Sequence, residues 1–241
     1  MSQGNTSSDT IQSQDPNFAF VTARDKIAQG IQSPIPIVGN LFFRKTVTGL
    51  GAPEDSFKSN FLIQWAICMT LGIPCYLWSC KKSQVAYMVL EGGVDYVLER
   101  IEQKIDAMGV NRDEALQGIY ILDCPSMQLD DEDTTQKLEE TILALNPVPE
   151  VIILDPITYA IDEDVRYSPN KTRLLRNAIR IADRINGVVI LVIHTRKGAK
   201  NDASMDDFLG SGQIARAAAT RINPSRNENK VTMYMNARHS E

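Results

Sequence analysis

Two unbroken runs of apolar residues constrain the fold of this chain more than any other feature of its sequence. They span residues 151–154 (VIIL) and 188–193 (VVILVI). A run that is apolar at every position is typical of a strand that helices cover on both faces of a sheet. We therefore expect both runs to be central strands of an α/β domain.

The rest of the chain alternates between strand and helix patterns, which indicates βαβ units wound around a parallel sheet. The expected strands span residues 45–50, 85–90, 118–122, 150–154 and 187–193, and the expected helices span residues 58–71, 94–108, 133–145 and 170–186. Residues 220–222 and 230–235 flank a polar turn at 224–229, which predicts an antiparallel hairpin. The predicted fold class is α/β, with a mostly parallel central sheet flanked by helices and a C-terminal antiparallel hairpin.

The length and composition favour one folded domain after a polar tail. A chain of 241 residues with 43% hydrophobic content can bury a full core, and its length fits one α/β domain better than two. Residues 1–16 have almost nothing to bury, so we expect a disordered tail there. A short amphipathic helix is expected from Phe18 to about Gly30, and residues 17–241 are expected to form the single domain.

Charge, cysteines and hydropathy limit the classes of function. The net charge of −5 excludes a generally basic surface, so any contact with nucleic acid must use a local cluster of Lys and Arg. The four cysteines show no CxxC spacing and no nearby histidine, which favours reduced thiols over structural zinc. No apolar run approaches the roughly 20 residues that cross a bilayer, and the N-terminus lacks a signal pattern. We expect a cytoplasmic protein without membrane contact.

Residues 51–59, GAPEDSFKS, lie between a β-branched run and an apolar helical pattern. This is the context of a phosphate-binding loop, in which backbone N–H groups and a helix N-terminus bind the anion. A lysine then contacts the β and γ phosphates, and a hydroxyl holds Mg²⁺. Lys58 and Ser59 stand where these two side chains are needed.

The same segment departs from the usual pattern G-x-x-x-x-G-K-[ST] in two ways. Phe57 replaces the second glycine, and Gly51 lies seven residues before Lys58 where the pattern has six. Glu54 and Asp55 also add negative charge beside the expected phosphates. Taken alone, the segment fits either a phosphate-binding loop or an ordinary strand-to-helix turn.

Three further polar residues follow expected strands, which should bring them to the same edge of the sheet. Asp155 ends an apolar strand in the Walker B form, where an aspartate orients the water shell of Mg²⁺. Glu91 is placed to polarise an attacking water, and His194 to touch a γ phosphate. Each has a plainer interpretation: Asp155 as the cap of the next helix, Glu91 as a helix-start acid and His194 as a capping histidine.

In this order the motifs resemble those of the RepA-like hexameric helicase group, RecA-fold ATPases of plasmids and phages that are related to DnaB-type replicative helicases. The resemblance covers roughly residues 25–241 and implies a RecA-like P-loop NTPase core. Ser-Phe-Lys-Ser at residues 56–59 is similar to the loop that such proteins often carry, so the resemblance favours the phosphate-binding interpretation. Residues 85–100 look like the family's second strand with its catalytic glutamate, and residues 154–158 look like its Walker B strand followed by proline.

Three later segments extend the resemblance. Residues 194–198 look like the family's histidine-containing sensor strand, and residues 208–214 like the Gly-Ser-rich helix start that follows. Residues 235–239 resemble the terminal strand whose Lys-x-Arg reaches the γ phosphate of a neighbouring subunit. Asn236 stands where the family usually has lysine, so Arg238 alone would act as the finger.

The resemblance implies hydrolysis of ATP with Mg²⁺. In this interpretation Lys58 neutralises phosphate charge, Glu91 aligns the attacking water, and His194 reports the γ phosphate to the loop that follows. Ser59 would hold Mg²⁺ directly and Asp155 through water, which with Arg238 completes the catalytic set. The nucleotide-binding positions implied are Gly51, Pro53, Glu54, Asp55, Ser56, Phe57, Lys58, Ser59 and Asn60.

The resemblance also implies single-stranded DNA as a partner and self-association into a hexameric ring or a filament. Two loops, at residues 161–173 and 196–208, are expected to contact DNA and to move with the nucleotide state. Their candidate DNA-binding residues are Arg166, Lys171, Arg173, Arg196, Lys197 and Lys200. Because both loops also contain acidic residues, the alternative is a pair of solvated loops with mixed charge.

Three functions are compatible with these patterns. The first is a helicase or single-strand DNA translocase that serves replication of a mobile element. The second is a recombinase or recombination mediator on the same fold. The third is a nucleotide-binding regulator with little turnover, which would account for the acidic loop and the missing lysine.

Overall fold

The structure is a computed structural model that describes residues 20–30, 33–52, 57–125, 127–157, 170–194, 220–227 and 230–237. The chain divides into two units, Met1–Pro34 and Ile35–Glu241. In the first unit, the described residues form helix α1 (Ala23–Ala28), where Thr22 caps the helix by accepting a hydrogen bond from the Asp25 N–H. The expected helix is thus seen over Ala23–Ala28. The expected tail at 1–16 lies outside the described residues, and the single domain at 17–241 stays a prediction.

The second unit has an α/β architecture. In the part of the chain that the structure describes, its strands are β1 (Pro36–Val38), β2 (Phe42–Phe43), β3 (Thr46–Ala52), β4 (Val85–Val89), β5 (Ile119–Asp123), β6 (Val151–Asp155), β7 (Val188–His194), β8 (Thr220–Asn227) and β9 (Lys230–Ala237). Its helices are α2 (Lys58–Leu71), α3 (Val94–Met108), α4 (Arg112–Gln117), α5 (Glu132–Leu143) and α6 (Asn170–Arg184).

Seven of these strands form one sheet in the order β5-β4-β6-β7-β3-β8-β9. Every neighbouring pair is parallel except β8 and β9, which form an antiparallel hairpin. This confirms the predicted fold class, a mostly parallel sheet flanked by helices with a C-terminal hairpin. The two central strands named from their apolar runs, β6 and β7, are hydrogen-bonded neighbours inside the sheet.

The hairpin is longer than predicted. The prediction of a polar turn at 224–229 was wrong for its first four residues, because β8 continues through Pro224 to Asn227, which pairs with Lys230. Proline cannot donate a hydrogen bond to a neighbouring strand, so within a sheet it is confined to positions with a strand on one side only. β3 pairs with β8 only over Thr220–Ile222, and at Pro224 the ladder involves β9 alone in the described residues.

The buried strands of the sheet alternate between two helical layers. On β4, Val85, Tyr87 and Val89 pack on the side of α2, whereas Ala86 and Met88 pack on the side of α5 and α6. Helix α2 is itself apolar almost all round, since α3 and α4 cover its outer side. Helices therefore cover both faces of these buried strands, and ligands have access to the sheet at the ends of its strands.

Parallel register brings the carboxyl ends of four strands together. Val89 of β4 pairs with Asp155 of β6, and Ala52 of β3 pairs with His194 of β7. The Leu90 N–H, just past β4, donates to the Asp155 carbonyl at 3.0 Å. The residues that follow these strands are thus placed at one edge of the sheet.

Short elements account for most of the differences from the predicted pattern. Apart from β8, the long helices and strands lie within about two residues of their expected bounds. The two-residue to six-residue elements β1, β2 and α4 were not predicted. Among the described residues, no helix combines the length and the apolar character that crossing a bilayer requires.

Candidate functional site

A cleft of about 550 Å³ opens at the carboxyl ends of β3, β4, β6 and β7. It brings together the predicted residues on each of these strand ends: Phe57, Lys58, Ser59, Asn60, Glu91, Asp155 and His194. Its other walls come from Val89, Gly92, Tyr96, Val97, Arg100 and Pro156. This is the crevice in which open α/β sheets bind ligands.

Phe57 shapes the entry of the chain into α2. It precedes the helix with φ 66° and ψ 18°, in the left-handed region that favours glycine, and its side chain makes no cap hydrogen bond. The phosphate-loop pattern has glycine at this position. Phe57 therefore keeps the backbone geometry that a glycine would supply, although a larger side chain stands there.

Lys58 is the first residue of α2 and is only 6% exposed. A buried ammonium group requires oxygen ligands around it, because an unpaired charge in the interior is costly. The helix N-terminus beside it adds a partial positive charge. Together, the lysine and the helix start form the kind of wall that an anion favours.

Ser59 and Asp155 are linked through Tyr87. The Tyr87 hydroxyl donates a hydrogen bond to Asp155 Oδ2 and interacts with the Ser59 hydroxyl. Burial, and then the Asp155 carboxylate, raise the pKa of Tyr87 well above its usual value, against smaller opposing effects of Ser59 and Arg100. The phenol therefore keeps its proton. Sequence reasoning missed Tyr87, because a tyrosine inside an apolar strand has the pattern of a core residue.

Glu91 and His194 are in contact in the wall of the cleft. His194 Nε2 lies 3.6 Å from Glu91 Oε2, and both side chains are partly exposed. The other ring nitrogen, His194 Nδ1, is buried and has no hydrogen-bond partner among the described residues. A carboxylate just after β4 and an imidazole at the end of β7 thus lie side by side in the wall of the cleft.

Arg100 and Tyr96 add a cation to the wall formed by α3. The Arg100 guanidinium lies 4.0 Å from the centre of the Tyr96 ring and donates to the Tyr96 hydroxyl. Neither residue was among those predicted for the site. Their spacing of one helical turn, with an aromatic residue before an arginine, is the signal in the sequence that could have found the pair.

These groups fit a magnesium nucleotide. Mg²⁺ is usually held by one or two protein oxygens together with phosphates and water. Ser59 and Asp155 offer such a pair, and within the described residues no cluster of three His, Cys, Asp or Glu side chains competes as a metal site. Lys58 and Arg100, which also line the cleft, carry the positive charge that phosphates would require.

The structure changes the predicted bounds of the phosphate loop. Gly51 was expected to open the loop, but the ladder with β7 continues through Gly51, which pairs with Ile193, to Ala52. The connection to α2 therefore begins at Pro53. The predicted residues Pro53, Glu54, Asp55 and Ser56 lie outside the described residues.

The predicted DNA-contacting loops are covered only in part. Arg166, Arg196, Lys197, Lys200 and Arg238 lie outside the described residues. The loop expected at 161–173 ends earlier than predicted, because α6 begins at Asn170 and includes Lys171 and Arg173. The Arg173 guanidinium donates to the Asp130 carbonyl at 3.4 Å. Asn236 lies in β9, opposite Arg221.

Comparisons with known proteins agree with this architecture. A family described as an AAA domain matches residues 12–200. Comparison with curated proteins gives no match.

Two solved structures share the fold. The crystal structure of the RadB recombinase is similar with a TM-score of 0.59 and 17% identity, over 83% of this chain and 85% of that one. A second structure, an ATPase domain, has a TM-score of 0.57 and 14% identity, over 84% of this chain and 80% of that one. Because the family match spans well over half of its length, the chain belongs to the AAA domain family, with the fold of RecA-like P-loop ATPases.

Proposed function

We propose that this protein is an ATP-hydrolysing motor that acts on single-stranded DNA, as a helicase or translocase in replication of the plasmid or phage type. The observation that supports the proposal most is the composition of the cleft. A buried lysine at a helix start, a linked hydroxyl and carboxylate, and a glutamate facing a histidine line the same 550 Å³ space. These are the parts that phosphoryl transfer to water requires.

In the proposed mechanism, some residues of the cleft neutralise phosphate charge and others orient the attacking water. When bound, Mg²⁺ offsets charge on the β and γ phosphates. Ser59 and Asp155 would hold the ion, and Lys58 would bind phosphate oxygens as negative charge shifts during the reaction. Glu91 orients the attacking water by accepting a hydrogen bond from it.

His194 connects the chemistry to the rest of the chain in this proposal. It lies at the last position of β7, so its contacts can change when a γ phosphate is present or lost. The residues that follow include the proposed DNA-contacting positions Arg196, Lys197 and Lys200. Order and disorder of such a segment is a common way for a phosphate to switch a loop.

The partners belong to the same proposal. A second subunit would supply Arg238 to the γ phosphate of its neighbour, within a hexameric ring or a filament in the cytoplasm. Single-stranded DNA would contact the two loops after β6 and β7, with an affinity that falls steeply with salt because the contacts are to phosphates.

RadB, whose structure is similar, is a recombinase, and a strand-displacement assay on a forked duplex separates that function from that of a helicase. A helicase releases the displaced strand when ATP is supplied, whereas a recombinase pairs or exchanges strands without directional unwinding. A regulator with little turnover would show neither activity and hardly any ATP hydrolysis.

The primary test is steady-state ATP hydrolysis with and without single-stranded DNA, for the wild type and for Lys58→Ala. We expect DNA to stimulate the wild type. The variant should lose about 10² to 10³ in turnover, the usual cost of removing a charged group that stabilises a transition state.

Lys82→Ala is the matched control, because Lys82 is exposed, pairs with Glu114 and does not line the cleft. It should keep wild-type turnover. Hydrolysis by Lys58→Ala at the rate of this control would contradict the proposed site.

A further inference from the structure

Tyr87 lies behind the cleft, between the two residues to which the proposed function gives the metal. It is fully buried in the middle of β4 and is not part of the cleft wall, whereas Ser59 and Asp155 are. In the ladder Tyr87 pairs with Ile153, two residues before Asp155 on the neighbouring strand. A long side chain reaches such a diagonal neighbour on the same face of a sheet, and here it does so with its hydroxyl.

The number of protons decides the direction of each hydrogen bond. A carboxylate can only accept, so the Tyr87 hydroxyl donates its one proton to Asp155 Oδ2. The phenol then has only lone pairs left for the hydroxyl of Ser59. Ser59 must therefore donate its own proton to Tyr87, which is the direction that favours the charged phenolate and so opposes the rise in its pKa.

This chain of donors leaves a defined set of acceptors. With its proton engaged by Tyr87, the Ser59 oxygen keeps its lone pairs for another ligand. Asp155 Oδ2 is occupied by the phenol, so Oδ1 remains for a water molecule or a cation. Both residues line the cleft, and a cation there would meet oxygen lone pairs and no competing proton.

We propose that Tyr87 is a positioning residue for the metal site, whose hydroxyl holds Ser59 and Asp155 in the orientation that binds Mg²⁺. The inference rests on the proposed function, because it needs a magnesium nucleotide in the cleft. It adds a residue that touches neither metal nor substrate and acts through two residues that do. Partners of this kind, one shell behind the ligands, typically change metal affinity by about 10-fold to 100-fold.

The plainer interpretation is a core tyrosine whose hydroxyl has found two polar neighbours. That role predicts loss of stability when the hydroxyl is removed, and no change in the requirement for metal. The two roles are separated by measuring metal dependence and stability in the same variant.

The experiment uses the full chain, a fluorescent ATP analogue that is hydrolysed slowly, and a titration with Mg²⁺. Tyr87→Phe keeps the ring in the core and removes the hydroxyl. We expect the variant to bind the analogue in EDTA as the wild type does, and to need about tenfold more Mg²⁺ for the metal-dependent gain in affinity. Free Mn²⁺, followed by its EPR signal, gives the metal affinity of the nucleotide complex independently of hydrolysis.

Tyr120→Phe is the matched control, since the Tyr120 hydroxyl donates to the Pro147 carbonyl, in the connection between α5 and β6, and neither residue lines the cleft. It should leave the metal requirement unchanged. An unchanged requirement in Tyr87→Phe, or a loss of analogue binding that is equal in EDTA and in Mg²⁺, overturns the inference. If Tyr87→Phe does not fold, fluorotyrosine at position 87 replaces it. A ¹⁹F signal that does not change when Mg²⁺ is added to the nucleotide complex then overturns the inference.

Failure of the proposed function looks different. A wild-type protein that binds no analogue at any Mg²⁺ concentration defeats the proposed function and this inference with it. A wild type that responds to Mg²⁺, beside a Tyr87→Phe variant that responds identically, defeats the inference alone.

Discussion

Glu91 is the residue whose position at the cleft is most informative about chemistry. It lies two residues after the end of β4, its side chain is 45% exposed, and its carboxylate lies 3.6 Å from the imidazole of His194. Lys58, in contrast, is buried at the helix start. A group that aligns water must be accessible to water, whereas a group that binds phosphate must exclude it. The two exposures match the two proposed roles.

Glu91→Gln should therefore separate binding from hydrolysis. Glutamine keeps the size of the side chain and one carbonyl oxygen but loses the charge that polarises a water. We expect the variant to bind the fluorescent ATP analogue with wild-type affinity and to lose about 10² to 10⁴ in turnover. Equilibrium binding and single-turnover hydrolysis, measured on the same preparation, check both halves.

Glu102→Gln provides the comparison on the adjoining helix α3, where Glu102 accepts two hydrogen bonds from Arg112 at the surface. It should hydrolyse ATP at the wild-type rate. Normal turnover in Glu91→Gln would mean that another group orients the water, with His194 the nearest candidate.

The residues that could be predicted from the sequence are those that follow a strand or open a helix. Lys58, Asp155 and His194 each stand at such a boundary, and parallel strands bring their carboxyl ends together whatever the loops do. Tyr87 could not be predicted, because its function depends on a diagonal neighbour in another strand. Register between strands is set by packing and is not visible in either strand's own pattern.

At the scale of elements, the amino ends of the strands are joined by a polar cluster on the edge opposite the cleft. Glu150, just before β6, accepts hydrogen bonds from Arg44 and, at 2.8 Å, from the hydroxyl of Ser83. Arg44 also donates to the Asn186 carbonyl at 2.7 Å, before β7. The backbone is close here too: a Cβ on Gly187 would lie 2.0 Å from the Glu150 carbonyl oxygen. This cluster fixes the starts of four strands relative to each other.

The cluster predicts a dependence of stability on pH. Burial raises the pKa of Glu150, but the hydrogen bonds from Arg44 and Ser83 outweigh it and leave that pKa below its ordinary value. A lowered pKa means that the ionised glutamate adds stability above the pKa of the unfolded chain, about 4.3, and that this stability is lost as the pH falls further. Urea unfolding of the wild type and Glu150→Gln from pH 7 to pH 3 measures it.

We expect Glu150→Gln to be less stable by about 1 to 2 kcal/mol near neutral pH, since it leaves Arg44 with a weaker partner. The difference between the two proteins should shrink as the pH falls below about 4.3. Ser83→Ala, which removes the smaller of the two hydrogen-bond effects, should change stability in the same direction by less. A difference that stays constant down to the acid limit would contradict the role given to Glu150.

Elements were predictable where they are long and buried. Helix α2 is predicted at its observed bounds, because its apolar pattern is continuous and it ends at Gly72 in the left-handed conformation. β1, β2 and α4 are too short to carry a periodic pattern, so their formation depends on tertiary contacts. The extent of β8 was misjudged for a related reason, since Pro224 indicates a turn unless its neighbours in space are known.

At the scale of the whole molecule, the sheet order bears on our proposal that a second subunit completes the site. The cleft takes its charge from the ends of β3, β4, β6 and β7, and its described cations are Lys58 and Arg100, both on one face of the sheet. Transfer of a γ phosphate develops negative charge on several oxygens at once. An arginine from a neighbouring subunit is one way to surround that charge, and Arg238 is the residue for which we propose this role.

If Arg238 acts across an interface, turnover per subunit should rise with protein concentration in the wild type. Arg238→Ala should bind nucleotide normally but lose about 10³ or more in turnover. The decisive measurement mixes two inactive variants. A Lys58→Ala subunit still carries Arg238, and an Arg238→Ala subunit still carries an intact cleft, so mixed assemblies should regain part of the wild-type ATPase activity. Arg112→Ala, which removes an exposed ion pair whose two residues do not line the cleft, should behave as the wild type. If the two variants assemble together by size and show no activity, Arg238 does not act in trans.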